Sequence, residues 1–279
     1  MIDLHTHSAV SDGTDPPERI PALAKRVGCS AVALTDHDTM AGLAAARQRA
    51  EQLDIELVPG CEVSCAFGHQ SAHVLVYFAA ETANPLHEEL ERLRSDRVAR
   101  NRALAERLRE LELPVTYEEA LAGVSSETSL GRLHFARLLV AKGAAGSVEE
   151  VFDRWLAQGR PAYVPKARVS PESIARLARD SGGVAVLAHP LSLGMDWDQL
   201  EAALDEFRQA GFVGIEAIYG GYAQPDRQRL AALAANLDLV ATGGSDYHGA
   251  AKADLAVGTG HGDLSVPEAI LEALRDRRP

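Results

Sequence analysis

Six histidines and three acidic residues occur in short strings whose donor atoms suit divalent metal ions. His5 and His7 lie in DLHTHS, Asp12 in SDG, His37 in TDHD, Glu62 in GCE, His189 in AHP, and Asp246 with His248 in SDYH; His73 stands alone in an apolar stretch. Neutral imidazole and carboxylate oxygen together suit Mn²⁺, Fe²⁺ or Zn²⁺. One such ion takes about four to six donors, so nine point to two or three ions with a carboxylate shared between them. Divalent ions acidify bound water and polarise the oxygen of a group under attack, so hydrolysis is among the chemistries such a set could support. A single histidine near a strand end is usually an ordinary polar loop residue, and HxH alone is weak. The weight rests on all nine meeting in one place; His69, His87 and His261 stand outside these strings.

Short β-branched or apolar runs at 2–4, 31–35, 56–62, 72–78, 184–188, 214–218 and 237–241 are mostly separated by helix-like stretches rich in Ala, Leu, Arg and Glu. That alternation predicts an α/β barrel or barrel-like sheet. Only nine residues, Gly68 among them, separate the third run from the fourth. A parallel crossover needs a dozen or more, so these two strands should form an antiparallel hairpin. His5 and His7 project to one side of an extended segment. His37, Glu62, His189, Asp246 and His248 follow the C-terminal ends of strands, the rim where barrel active sites gather. His73 begins a strand, but an antiparallel strand starts at that same rim.

Residues 81–165 interrupt the pattern. An amphipathic helix is expected over 84–113, with Leu90, Leu93, Leu104, Leu108 and Leu111 near a 3.6 period, followed by helix at 132–142 and 148–157. Ser170, ahead of Pro171 and Glu172, is a good N-cap where the βα pattern resumes. The expected organisation is therefore a barrel from 1–80 with 166–279, and a helical insertion over 81–165. Within the insertion, Arg94, Arg97 and Arg100 recur every three residues and share a helix face. Such a fork array suits phosphate; a solvated face paired with Glu88, Glu89, Glu91, Asp96 and Glu106 is the plainer alternative.

Other features narrow the field. A net charge of −12 over 279 residues argues against a broad nucleic-acid-binding face. Three cysteines in no knuckle spacing fit a reducing compartment, and Cys61 and Cys65 read as packing residues. With no run of about 18 apolar residues and no signal-peptide pattern, a cytoplasmic protein is expected. Asp3, Asp36 and Asp38 adjoin the metal-type strings and could orient them. Glu216 has no obvious partner, and no leaving-group acid is identifiable.

The strings DLHTHS, SDG, TDHD, GCE, AHP and SDYH, in that order and with the His73 strand among them, resemble the PHP (polymerase and histidinol phosphatase) family of metal-dependent phosphoesterases. The resemblance implies a distorted (β/α)7 TIM-like barrel. It also implies three metal groupings: His5 and His7 with Glu62 and Asp246; Glu62, His73 and His189 with Glu62 bridging; and Asp12, His37 and His248. Mn²⁺ is the implied metal, with Fe²⁺ or Zn²⁺ as alternatives. The insertion's length, the RVAR string at 97–100 and GRLHFAR at 131–137 are similar to a subgroup of 3′,5′-nucleoside bisphosphate phosphatases and 5′→3′ exoribonucleases. That similarity implies substrate contacts from Arg97, Arg100 and His134, and from Val98 and Ala99 through their backbone. The implied activity removes the 3′-phosphate of a 3′,5′-nucleoside bisphosphate, with no catalytic side chain assigned beyond a metal-held hydroxide. Trimming of short oligoribonucleotides and histidinol phosphate hydrolysis are the alternatives within the family. A metal-dependent amidohydrolase and a non-catalytic metal-stabilised module stand outside it.

Overall fold

Strands of four residues with no polar position, AVAL and VAVL, can exist only where both faces are covered. In the computed structural model, which describes every residue but 69, 125, 126, 128, 129 and 166–168, these strands are buried throughout. They belong to a seven-stranded sheet in chain order: β1 (Ile2–Asp3), β2 (Ala31–Leu34), β3 (Glu56–Phe67), β4 (Gln70–Tyr77), β5 (Val184–Leu187), β6 (Gly214–Tyr219) and β7 (Val240–Gly244). All neighbouring pairs are parallel except those of β4, which runs antiparallel to β3 and β5. The first and last strands approach each other, with Leu4 N–H donating to the Gly243 carbonyl at 3.2 Å. The sheet is thus a nearly closed barrel, as expected for a TIM-like fold. Ile2, Leu4, Val58, Leu75 and Val186 belong to its core, and the buried Tyr77 hydroxyl donates to Leu4 O at 2.8 Å.

Ten α-helices accompany the strands among the described residues: α1 (Arg19–Arg26), α2 (Leu43–Leu53), α3 (Pro85–Glu110), α4 (Tyr117–Ala122), α5 (Arg132–Ala141), α6 (Val148–Val151), α7 (Pro171–Asp180), α8 (Trp197–Gln209), α9 (Gln224–Asn236) and α10 (Ala269–Arg275). The chain divides into two compact units, 1–90 with 168–279, and 91–167. The division falls inside α3, so the helix that leads into the second unit begins in the first. The second unit has its own core, including Leu104, Leu108, Phe135, Leu139 and Leu156. No helix among the described residues is long and apolar enough to cross a membrane.

Several boundaries differ from the sequence reading. The β3–β4 hairpin is far longer than expected, pairing Phe67 with Gln70, so His73 lies within its strand opposite Ser64. The last strand starts at Val240, because α9 ends in a turn through Asp238, whose φ is 54°. The long helix stops at Glu110, and Leu111 is exposed. The helix expected over 148–157 is one α-turn followed by a π-helical turn at Phe152–Leu156. Ser170 caps α7 as expected, accepting from Ser173 N–H at 3.3 Å.

Candidate metal centre

Closure of the sheet brings strand ends that are far apart in sequence to one rim. Gly244 permits a close approach of the first and last strands: a Cβ there would lie 2.4 Å from the His5 backbone nitrogen. The chain turns sharply at this rim, and His189 and Asp246 take positive φ values of 26° and 54°. Such backbone costs about 1–3 kcal/mol per residue and persists where its surroundings hold it. At Asp246 the N–H donates to His5 O at 2.8 Å, and at His189 the N–H donates to Glu216 Oε2 at 2.9 Å.

All nine residues singled out by type meet here, and Glu62 is their hub. Its Oε2 lies 3.2 Å from His5 Nε2, 3.1 Å from His7 Nε2 and 3.3 Å from His37 Nδ1. Its Oε1 lies 2.9 Å from His73 Nδ1 and 3.0 Å from His189 Nε2. Asp246 Oδ1 faces the same His5 and His7 nitrogens at 3.5 and 3.4 Å. Asp12 faces His7, His37 and His248 at 3.6, 3.6 and 3.3 Å. Sets of donor atoms lying within 4.8 Å of one another are His5, His7, Glu62 and Asp246; His7, Asp12, His37 and His248; and His37, Glu62 and His73. Two of these correspond to the groupings implied by resemblance, with His7 reaching the third site as well. In the remaining set His37 stands where His189 was expected, although His189 still faces Glu62.

The electrostatics fit a cation. Burial alone would lower the His5 pKa, but the carboxylates of Glu216, Glu62 and Asp246 outweigh it and hold the imidazole well above its ordinary value. Burial would raise Glu62, yet His37, His5 and His73 keep it well below the usual carboxylate range. His37 is pushed down to about 4, chiefly by burial. The buried Nδ1 atoms of His7 and His37 have no hydrogen-bond partner among the described residues. Buried, unpaired ring nitrogens beside ionised carboxylates are costly unless a metal takes the lone pairs. The donor set therefore suits divalent ions.

Glu216, to which no partner had been given, proves central. It is fully buried, and its Oε1 accepts from His5 Nδ1–H at 2.8 Å. That bond fixes the tautomer and turns Nε2 toward the cluster. His248 is oriented likewise, its Nδ1 lying 2.8 Å from the Asp246 carbonyl. Asp3 and Asp36 act differently from expectation. Asp3 accepts from the backbone of His5, Ser245 and Gly258, and Asp36 accepts from Ser8 and Ser11. They hold the loops rather than the rings. Asp38 accepts from Ser64 N–H at 2.8 Å. Cys61 and Cys65 are buried free thiols.

The insertion residues lie in the second unit. Arg97, Val98, Ala99 and Arg100 are all in the middle of α3, where the helix ladder uses their backbone N–H groups. Val98 and Ala99 thus have no free backbone donor, and they line a separate cavity of about 510 Å³ with Arg94 and Arg102. Arg100 is half-buried, its Nε has no partner, and its hydrogen bond goes to Asn101 Oδ1 at 3.2 Å, not to a carboxylate. Burial, with the like charges of Arg132 and Arg97, pushes its pKa down to about 10. His134 Nδ1 accepts from Gly131 N–H at 3.1 Å, and burial lowers its pKa. A neutral His134 therefore carries its proton on Nε2, as a donor.

The PHP domain family matches residues 3–163. A 3′,5′-nucleoside bisphosphate phosphatase from Chromobacterium violaceum is 34% identical over 248 residues, 88% of this chain and 87% of that protein. The 5′-3′ exoribonuclease Rnm of Salmonella typhimurium is also 34% identical, over 89% of this chain and 85% of its own length. Among solved structures, a candidate metal-dependent phosphoesterase from Bifidobacterium adolescentis superposes with a TM-score of 0.79 at 28% identity, covering 99% of this chain and 96% of that one. A Chromobacterium violaceum chain described as an amidohydrolase, solved with sulfate and no metal, gives a TM-score of 0.81 at 32% identity over 100% and 97%.

Proposed function

The chain belongs to the PHP domain family of metal-dependent phosphoesterases, and from that premise we propose that it removes the 3′-phosphate of 3′,5′-nucleoside bisphosphates to leave the nucleoside 5′-monophosphate. His5, His7, Asp12, His37, Glu62, His73, His189, Asp246 and His248 would hold two or three divalent ions, with Glu62 as their central carboxylate and Mn²⁺ as the metal. When bound, such ions supply the Lewis acidity and the acidified water that phosphate ester hydrolysis needs. The demand is large, since uncatalysed monoester hydrolysis requires acceleration of up to ~10²¹-fold. Arg97, Arg100 and His134 bind the second phosphate, and the 81–165 insertion acts as a substrate-binding segment.

The observation that carries the substrate reading is the state of Arg100. It is half-buried beside two further guanidinium groups, has an unpartnered Nε, and makes no hydrogen bond to a carboxylate among the described residues. A half-buried guanidinium beside like charges, with no carboxylate of its own, is relieved by an anion. His134 adds a neutral donor. A monophosphate with a cationic tail, such as histidinol phosphate, would gain nothing from it.

The second reading is 5′→3′ trimming of short RNA at the same site, favoured by the equal 34% identity to the Salmonella exoribonuclease. The test is phosphate and nucleotide release by Mn²⁺-reconstituted protein from 3′,5′-adenosine bisphosphate, 5′-AMP, histidinol phosphate and a short 5′-phosphorylated RNA. The expected result is strong preference for the bisphosphate, yielding AMP. Comparable release from RNA would favour trimming. No phosphate from any of them, with turnover of a cyclic amide, would reverse the choice of reaction.

A further inference from the structure

One cation shares the metal-type cavity without being an imidazole. Lys252 lines a space of about 240 Å³ with Asp12, Glu62, Asp246 and the rim histidines. It is the one lysine or arginine among the described residues lining that space. Its position is built. The chain leaves His248 through Gly249, whose φ is +65° and where a Cβ would lie 2.2 Å from Thr14 Oγ1. Thr14 clamps the turn from both sides, donating from its N–H to His248 O at 3.1 Å and accepting from Ala250 N–H at 2.8 Å. The short 3-10 turn Gly249–Lys252 then aims the Lys252 side chain back at the cluster, where its ammonium donates to Asp246 Oδ2.

Asp246 does not depend on that contact. The same oxygen accepts from the Tyr219 hydroxyl at 2.7 Å. Asp246 Oδ1 meanwhile faces His5, His7 and His248. Lys252 is 39% exposed and can therefore move. The cavity has room for a phosphoryl group together with water, since a water occupies about 30 Å³ in the liquid.

We propose that Lys252 is a catalytic residue that exchanges Asp246 for a non-bridging oxygen of the scissile phosphoryl group. Water oxygen bonds to phosphorus, the ester P–O bond breaks, and the departing alcohol oxygen takes up a proton derived from that water. Lys252 keeps its own protons throughout. It stabilises the charge on the equatorial oxygens, where a preformed donor contributes most. The inference rests on the phosphoesterase reading and is indifferent to which nucleotide is cleaved.

The probe is inorganic phosphate, titrated by calorimetry into the Mn²⁺-loaded protein and its Lys252→Met and Lys252→Arg variants, beside Mn²⁺ titration of each metal-free protein. Lys252→Met should weaken phosphate binding at least tenfold and lower kcat about 10²–10³-fold. Mn²⁺ affinity should be unchanged or tighter, because a competing cation has gone. Lys252→Arg should recover part of the phosphate binding. Unchanged phosphate affinity in Lys252→Met would overturn the proposal, as would loss of Mn²⁺ affinity, which would make Lys252 a support for Asp246. Phosphate binding is read without any nucleotide, so failure of the bisphosphate reading leaves this test intact.

Discussion

The two regions to which the proposed function assigns chemistry are built in opposite ways. At the rim of the first unit every functional group is held by partners distant in sequence. Glu62 faces five imidazoles contributed by β4 and by the segments after β1, β2 and β5. On α3 of the second unit the functional groups are spaced along one helix, and several arginines are satisfied locally, Arg92 by Asp96 and Arg94 by Glu91. The rim is preorganised and buried, so its members should fail together when one is removed. The helix face is only partly buried, and its members are spaced singly along one element, so they should fail singly and mildly.

The sharpest way to break that contrast is at Glu62. Glu62→Gln keeps the shape but removes the hub's negative charge and replaces one of its two acceptor oxygens with an NH₂ group, leaving His5, His7, His37, His73 and His189 without their common carboxylate. Breaking a buried ionic cluster costs about 3–5 kcal/mol, or about 10²–10⁴-fold in affinity. Mn²⁺ titration should show that loss, and phosphate release should fall at least as far. A variant retaining metal affinity within about tenfold would mean the rim is modular after all.

Glu216→Gln comes next. It touches no proposed ion and acts through His5 and the His189 backbone. Removing such a supporting carboxylate typically weakens metal binding by about 10–100-fold. The distinguishing readout is rescue: raised Mn²⁺ should restore most of kcat, which a merely misfolded variant would not allow. Circular dichroism melts check the fold.

That Glu216 had no partner in the sequence reading has a physical cause. Glutamate in the string GIEAIY looks like the polar position of a half-buried strand, and its partner His5 lies 211 residues away. Only closure of the sheet makes them neighbours. His73 was legible because a short connection excludes a parallel crossover, and that local constraint set its strand's direction. The backbone role implied for Val98 and Ala99 meets the converse difficulty. The string resemblance carried the positions, but the helical period of the same residues already consumes their N–H groups. Spacing within one element was legible, contacts across a barrel were legible only through residue type, and supporting groups of ordinary type were not legible.

On the helix face, Arg97→Ala and Arg100→Ala should each raise KM for 3′,5′-adenosine bisphosphate about tenfold. A charge-assisted hydrogen bond contributes about 1.5–3 kcal/mol, reduced here by partial exposure. Mn²⁺ affinity should stay the same, which separates these variants from those at the rim. An equal loss of activity toward a simple aryl monophosphate would blur the contrast, because that substrate has no second anion to lose.

Arg94→Ala is the smallest change and the most diagnostic one for reading helix spacing. Arg94 shares the three-residue recurrence with Arg97 and Arg100, so spacing alone gives it the same role. The structure separates Arg94 from Arg100 by the carboxylate partner: the Nε of both is buried and unpartnered among the described residues, but Arg94 already donates to Glu91 Oε1 at 2.6 Å, a partly exposed i, i+3 pair. Exposed pairs of this kind contribute about 0–1 kcal/mol. Taking Arg94 from Glu91 for a phosphate would exchange one screened anion for another, with little net gain. KM and Tm should therefore remain close to the parent values, KM within about twofold. A tenfold rise in KM would show that the Glu91 pair opens on substrate binding, and would make the recurrence of three arginines, rather than the isolation of Arg100, the determinant of anion binding.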